Sequence, residues 1–272
     1  MVAIIDEIDD PGTDGDDVRV DDITLNPGPN ADPLSLVKPY ISQDILDKYD
    51  VYSYRHAAAI LHSSFQTELS EIETALRTFE LTKKDIGMPG GNESIIPKKF
   101  SDILRPLGWK ETRIQGDFLI RLIASEKKIT TVTEKHWEKA ETRTIQNSVD
   151  GHKIDYVKGN VALDLEWNSK DQTFDRDLYA FRLFHECGVI SVAALVTRSA
   201  DLQPVFDRIP RRNKDGDIVE KDGKPNSVAD KFGASTTWMG KLLYRLNAGR
   251  HGGCPVIVFG IRPDAIKDLD EE

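Results

Sequence analysis

The chain has 272 residues, of which 39% are hydrophobic and 8% aromatic, and it carries a formal net charge of -10. This is enough apolar surface for the core of one large domain. Two cysteines without CxxC or Cys/His spacing argue against a disulfide scaffold and a zinc finger. No run of about 18 apolar residues occurs, so we expect a cytoplasmic protein that does not enter a membrane.

The negative charge is concentrated at the two ends of the chain. Residues 1–33 carry ten acidic side chains against Arg19 alone, together with several Gly and Pro, and we predict an acidic flexible tail there. Residues 266–272 form a second acidic tail with a net charge of -3. Residues 34–265 are therefore nearly neutral, at +2, and we predict that they form a single domain.

The first half of that domain predicts helices followed by strands. Between Val51 and Leu81, apolar residues at steps of four and three predict an amphipathic helix. They are Phe65, Leu69, Ile72, Leu76 and Phe79. After a Gly- and Pro-rich break at Gly87–Pro97, alternation through Trp109–Lys128 predicts strands, and a polar helical stretch is expected at Thr133–Ile145. The apolar face of these strands would carry Phe118, Ile120 and Leu122.

The second half predicts a regular alternation of strands and helices. The predicted strands are Lys153–Val157, Val161–Asn168, Val189–Thr197 and Pro255–Ile261, and the predicted helices are Phe174–Glu186 and Ser235–Asn247. Such an alternation implies an α/β layer with right-handed crossovers and a partly parallel sheet.

Residues 152–171 combine a hairpin signal with a cluster of acids. Gly159-Asn160 suits a two-residue type II′ turn, and the antiparallel register from that turn places Asp155 directly opposite Asp164. Side chains alternate between the faces of a strand, so one face is apolar and the other acidic. The apolar face comprises Ile154, Tyr156, Leu163, Leu165 and Trp167, and the other face comprises Asp155, Asp164, Glu166 and Asn168.

Opposed carboxylates of this kind require compensation. At roughly 5 Å and an effective dielectric near 20, two of them repel by about 3 kcal/mol. Acids on a solvated strand face are common, yet Asp is depleted in strands, and three converge here. Because Mg2+ prefers oxygen ligands and assists attack on phosphate, we predict that Asp155, Asp164 and Glu166 bind Mg2+ and catalyse phosphodiester hydrolysis.

The same residues carry a family resemblance. Asp155, eight intervening residues and Asp164-Leu165-Glu166, followed by the helix FDRDLYAFRLFHE and the strand VISVAALVTR, resemble the BglII and BstYI group of type II restriction endonucleases, within the PD-(D/E)XK nuclease fold. The resemblance covers about residues 150–200, and residues 235–262 more loosely. It implies an α/β, restriction-endonuclease-like core with a mixed central sheet flanked by helices.

The resemblance also implies partners and residue roles. It implies a homodimer that cuts both strands of a short palindrome in double-stranded DNA with Mg2+, and a cognate DNA methyltransferase that is not a stable subunit. By position, Asp155 and Asp164 would be metal ligands. Where this chain has Glu166 the wider nuclease pattern has Lys, BglII has Gln and BamHI-like enzymes have Glu, so Glu166 is expected to act as a metal-proximal residue or a general base. BglII also has Glu where this chain has Asp164.

Two polar regions are candidates for DNA binding, because Arg, Lys and Asn side chains contact bases and phosphates. One is a long insertion at about residues 200–232, which is expected to contact DNA. The second begins the predicted helix at Ser235, for which capping that helix is the alternative role. The candidate residues are Arg198, Arg208, Arg211, Arg212, Asn213, Lys214, Ser235, Thr236, Thr237 and Arg250.

Three functions remain open from the sequence. The first is a type II restriction endonuclease, and the second is a structure-selective or repair nuclease of the same fold. The third is a catalytically silent DNA-binding protein, which predicts a broken acid cluster. The cluster is intact, and this ranks the third function last.

Overall fold

The computed structural model of the protein describes residues 27–90, 95–124, 138–149, 152–233 and 235–270. The helices among them are α1 (Gln43–Lys48), α2 (Ala57–Ser64), α3 (Gln66–Thr78), α4 (Lys83–Gly87), α5 (Ile95–Leu104), α6 (Thr173–Glu186) and α7 (Met239–Asn247). The strands are β1 (Tyr49–Tyr54), β2 (Lys110–Arg113), β3 (Gly116–Ala124), β4 (Glu138–Val149), β5 (Lys153–Lys158), β6 (Val161–Glu166), β7 (Val192–Arg198), β8 (Glu220–Lys221), β9 (Lys224–Pro225) and β10 (Val256–Ile261).

A mixed six-stranded sheet organises the domain, with strand order β1-β10-β7-β6-β5-β2. The three central strands β10, β7 and β6 are parallel, and each outer pairing is antiparallel. The predicted alternation produces this centre, because α6 connects β6 to β7 and α7 precedes β10. The architecture confirms the expected α/β, restriction-endonuclease-like fold.

Helices cover both faces of the sheet, so the central strands are buried on both sides. One apolar cluster joins the sheet to α2, α3 and α5, and a second joins it to α6 and α7. The predicted amphipathic helix is confirmed as α3, which buries Leu69, Ile72 and Leu76. The region before it is a separate helix and strand, α2 and β1. None of the helices in the described part of the chain is long and apolar enough to span a membrane.

Strands β3 and β4 form a two-stranded ribbon outside the central sheet. The strand predicted through Phe118 is confirmed, but the helix predicted at Thr133–Ile145 is wrong over 138–145, where the chain is β4. Residues 133–137 lie outside the described residues. Pairing overrides the local helical pattern, since Phe118 lies opposite Ile145 and β-branched residues such as Thr142 and Thr144 favour strands.

The segments next to the two predicted tails contact the domain. Ala31 forms a β-bridge with Tyr54, and the backbone N–H of Asp32 donates to the carbonyl of Ser53 at 2.7 Å. At the other end, Ile266 forms a bridge with Leu81. The predicted tail boundaries therefore include residues that belong to the folded domain. Residues 1–26 and 271–272 lie outside the described part.

The predicted insertion at 200–232 is partly core, and its expected contact with DNA stays a prediction. Its two ends are 3-10 helices, Ala200–Arg208 and Ala229–Phe232, whose apolar side chains are buried. Phe206 and Phe232 stack with ring centroids 4.1 Å apart and pack beside Trp167. The middle of the insertion is largely exposed and contains the small β8–β9 hairpin.

Candidate active site

The acidic cluster is built on the β5–β6 hairpin. The structure confirms the predicted register, with Tyr156 opposite Leu163 and Lys158 opposite Val161. Gly159 opens the turn at φ +53°, a conformation that favours glycine. One step further from the turn, the backbone N–H of Asp155 donates to Oδ1 of Asp164 at 2.7 Å. The predicted proximity of these two residues is therefore confirmed.

A bulge in β5 changes one part of that prediction. Lys110 of β2 pairs with Val157, whereas Thr112 pairs with Ile154, so β5 contains one extra residue between the two pairs. Ile154 therefore lies in the apolar cluster beneath α6, not in the cluster that contains Tyr156. The predicted shared face for Ile154 and Tyr156 is wrong, because the bulge reverses the alternation.

The three predicted acids differ in their exposure. Asp164 is 4% exposed and Glu166 is 7% exposed, at the end of a strand in which every residue is buried. Asp155 is exposed at the rim. Burial raises the pKa of Asp164 well above its ordinary range, and the charges of Asp177 and Asp155 raise it further. Burial and Asp177 also raise the pKa of Glu166 to about 8.

The pKa of the Asp155 carboxyl is also raised, but by less than that of Asp164. Asp155 is an exposed residue, but it lies in a concave wall where partial desolvation raises the pKa of its carboxyl, as does the charge of Glu111. Arg105 and Arg176 lower that pKa. Because these pKa values are raised, the buried carboxyls ionise only as the pH rises, and a bound cation would favour their charged form.

Asp177 is a fourth acid at the site that sequence reasoning missed. It lies on α6, is 2% exposed, and accepts hydrogen bonds from Arg176 at 2.9 and 3.1 Å. Burial raises its pKa to about 6. The signal was present, because an Asp at 177 lies in the apolar stripe between Phe174 and Phe181, a position that normally faces the core.

The side chains match a hard divalent cation in donor type. Their donors are carboxylate and amide oxygens, and two of these, Oδ2 of Asp177 and Oδ1 of Asn168, are buried without a hydrogen-bond partner in the described structure. The side chains are not arranged as a complete set of metal ligands. Among the described residues, no three His, Cys, Asp or Glu form a group that could hold a metal ion. The donor chemistry therefore fits Mg2+, whereas the arrangement is not preformed.

An open cleft of about 780 Å³ lies beside the cluster. Asp155 and Glu166 line it, whereas Asp164 lies beneath its surface. Further polar and charged side chains line the same cleft. These are Ser101, Arg105, Glu111, Lys214 and Lys231.

Arg198 is a structural residue, and its predicted DNA contact is wrong. It is 1% exposed, and its guanidinium lies over the rings of Phe206 and Phe232 at 5.3 and 4.9 Å. It donates to Oγ1 of Thr236 at 2.6 Å and to the carbonyl of Thr237. Burial lowers its pKa to about 9.

The sequence predicted that residues 235–237 open the second crossover helix, and the structure shows that they do not. The second crossover helix begins at Met239, so Ser235 does not cap it. Instead the segment pairs with the chain that follows β6: Thr236 forms a bridge with Lys170. Thr237 is fully buried and is not available to a ligand, which contradicts its predicted DNA contact. Ser235 is exposed and Thr236 is half-buried.

The remaining DNA-binding candidates fall into two groups. Arg212 and Asn213 shape their own loop, since Arg212 donates to the carbonyl of Gly216 at 2.7 Å and Asn213 accepts from two backbone N–H groups. The exposed candidates are Arg208, Arg211, Lys214, Ser235 and Arg250, and Arg250 is ion-paired with Asp175. Their contacts with DNA stay predictions.

Comparison with known proteins gives one family. The sequence matches the family described as Restriction endonuclease BglII/BglIII over residues 49–261. These bounds coincide with the first residue of β1 and the last residue of β10, so the match spans the whole central sheet and the site on it. A search of curated proteins found no match.

Proposed function

The chain belongs to the BglII/BglIII family of restriction endonucleases, and we propose that its β5–β6 carboxylates hydrolyse DNA with Mg2+ at a short palindromic site. Family membership makes the protein a type II site-specific deoxyribonuclease that acts on double-stranded DNA. The family generally uses divalent metal ions. Mg2+ and the palindrome are our proposals.

One observation carries the proposal: Asp164 and Glu166, both buried, share their site with Asp177 at the edge of an open cleft. Clustered buried carboxylates cost free energy in isolation, and a function for which their charge is needed explains why they are placed together. A divalent cation bound there would offset that charge and stabilise the charge that develops on the attacked phosphate.

Each carboxylate of the cluster would have its own role in hydrolysis. The Asp155 N–H fixes the carboxylate of Asp164 in one orientation, and Asp155 and Asp164 would be the ligands. Glu166 reaches the cleft, 3.6 Å from the guanidinium of Arg176, and it would be either the third ligand or the proton acceptor for the attacking water.

The variant Glu166→Gln separates those two roles. If Glu166 accepts the proton, the variant keeps the metal requirement of the wild type and loses the acid limb of its pH–rate profile. If Glu166 is a ligand, the variant instead needs a higher Mg2+ concentration for half-maximal rate. A variant with the wild-type rate, profile and metal requirement would remove Glu166 from the site.

We also propose a homodimer, because a palindrome presents the same half-site twice and a two-fold assembly matches it. A DNA methyltransferase would protect the host DNA without forming a stable subunit. We place the protein in the cytoplasm with its DNA, where its two free cysteines stay reduced. Sedimentation with and without DNA tests the dimer, and a monomer on cleaved DNA would contradict it.

Digestion of plasmid and phage DNA tests the proposed function. We expect discrete, reproducible fragments with Mg2+ and none in EDTA. A smear would instead indicate a nonspecific or structure-selective nuclease of the same fold. Intact DNA of diverse sequence, with properly folded protein, would indicate a silent DNA-binding protein.

A further inference from the structure

Arg105 lines the same cleft as Asp155 and Glu166. It begins the 3-10 helix Arg105–Leu107, directly after α5. Its guanidinium lies over the ring of Tyr156 at 4.6 Å from the centroid, and Tyr156 is the residue next to Asp155 on β5. The hydroxyl of Tyr156 is in turn 2.8 Å from the hydroxyl of Ser101 on α5. The arginine is therefore held against a fixed aromatic surface at the rim of the site.

Most of the donors of Arg105 are uncommitted. Among the described residues, its one hydrogen bond runs from Nη1 to the carbonyl of Trp109 at 3.4 Å, near the limit for such a bond. No ion pair joins it to an acid in the described part of the chain. The nearby Glu111 is paired with Lys153 at 2.7 Å. A guanidinium with free N–H groups, stacked on a ring, is preorganised to bind a phosphate through two hydrogen bonds.

The other cations in or near the cleft either have partners of their own or lie in an exposed loop. Arg176 donates to Asp177 and lies 3.6 Å from Glu166, so it serves the acids themselves. Lys231 donates to the carbonyl of Met88 at 2.6 Å. Lys214 is exposed in a loop, and no ring stacks on it in the part of the chain that the structure describes. Arg105 therefore lies in the cleft lining, keeps N–H groups without a partner in the described structure, and is stacked on an aromatic ring.

We infer that Arg105, stacked on Tyr156 and supported by Ser101, binds a backbone phosphate of the DNA next to the carboxylate site. The inference rests on the proposed function, since it requires duplex DNA in this cleft. A cation at this position has a further consequence. It brings the phosphate backbone against a cluster of carboxylates that would otherwise repel it.

The test measures DNA binding in EDTA, so that cleavage does not interfere. A labelled duplex fragment is titrated with wild type, Arg105→Gln, Arg105→Lys and Arg182→Gln over a series of salt concentrations. Arg182 is a matched control, because it is half exposed on α6, pairs with Glu186 and lies outside the cleft lining. Thermal unfolding of each variant establishes that it is folded.

Loss of one phosphate contact lowers the slope of log affinity against log salt by about 0.9. We expect that decrease in Arg105→Gln, a slope close to the wild type in Arg105→Lys because the charge remains, and no change in Arg182→Gln. Single-turnover cleavage with Mg2+ should fall in Arg105→Gln and recover in part in Arg105→Lys.

The outcomes separate this inference from the proposed function. If the wild type binds and cuts DNA while Arg105→Gln keeps its affinity and slope, Arg105 does not bind phosphate and the proposed function stands. If Arg182→Gln loses as much as Arg105→Gln, the effect is general surface charge and the inference fails. A folded wild type that neither binds nor cuts duplex DNA would overturn both.

Discussion

Replacing Asp164 by asparagine removes one charge from the buried cluster and keeps the shape of the side chain. Oδ1 of Asp164 accepts the N–H of Asp155 at 2.7 Å, and an amide oxygen can accept the same bond. The variant Asp164→Asn therefore tests charge rather than packing. We expect it to raise the free energy of unfolding of the metal-free protein at alkaline pH.

The repulsion between the carboxylates sets the size of the expected change in the free energy of unfolding. Two carboxylates about 5 Å apart at an effective dielectric near 20 repel by about 3 kcal/mol. The pKa of Glu166, about 8 against an ordinary 4.5, sets an upper scale of roughly 5 kcal/mol for burial and repulsion together. We therefore expect Asp164→Asn to stabilise the metal-free protein by about 3 kcal/mol above pH 8.

The sign of the pH dependence is fixed by the raised pKa. Below about pH 3 these carboxyls are protonated in both folded and unfolded chains, so the penalty is absent. It develops as the pH rises from the ordinary pKa of Glu166, 4.5, to its folded value of about 8. The wild type should therefore lose stability over that range, and the variant should lose less.

Urea denaturation in EDTA, at about pH 5 and about pH 8.5, measures both effects. Asp207→Asn is the matched control, because Asp207 is exposed and neither it nor its chain neighbours line the cleft. It should leave stability unchanged at both pH values. Equal or lower stability of Asp164→Asn than of wild type at the higher pH would refute the reasoning.

Two further variants test the roles assigned to buried residues. Arg198→Ala should lower the free energy of unfolding by about 2 to 4 kcal/mol, since it removes stacking on Phe206 and both side-chain donors to the carbonyl of Thr237. A loss of DNA affinity at unchanged stability would contradict its structural role. Asp177→Asn should slow cleavage about 10- to 100-fold with DNA binding retained, because Asp177 holds Arg176 beside Glu166. Wild-type cleavage rates in that variant would remove Asp177 from the site.

Local patterns were enough to predict the centre of the fold. The apolar alternation and the Gly159-Asn160 turn determine the hairpin register, because a slip by one residue would place acids in the core. The same register predicts the contact between Asp155 and Asp164. Periodicity in the second half predicts the parallel strands, since a helix between two strands returns the chain in the same direction.

What the sequence could not predict depends on distant contacts. The β5 bulge is set by pairing with β2, whose residues lie 40 to 47 positions before their partners in the chain. Arg198 has the polarity of a surface residue, and its burial depends on two rings brought over it by the insertion. The stretch 138–145 has a polar pattern that a helix would also show, and only its pairing with β3 makes it a strand.

The most direct test of the carboxylate site compares cleavage and binding in wild type and Asp164→Ala over a Mg2+ titration. The wild type should cut plasmid DNA into discrete fragments, with a rate that rises with Mg2+ and is zero in EDTA. Asp164→Ala should bind the same DNA in EDTA and fail to cut it at any Mg2+ concentration. Cleavage by Asp164→Ala at the wild-type rate, or cleavage by the wild type without metal, would contradict the account.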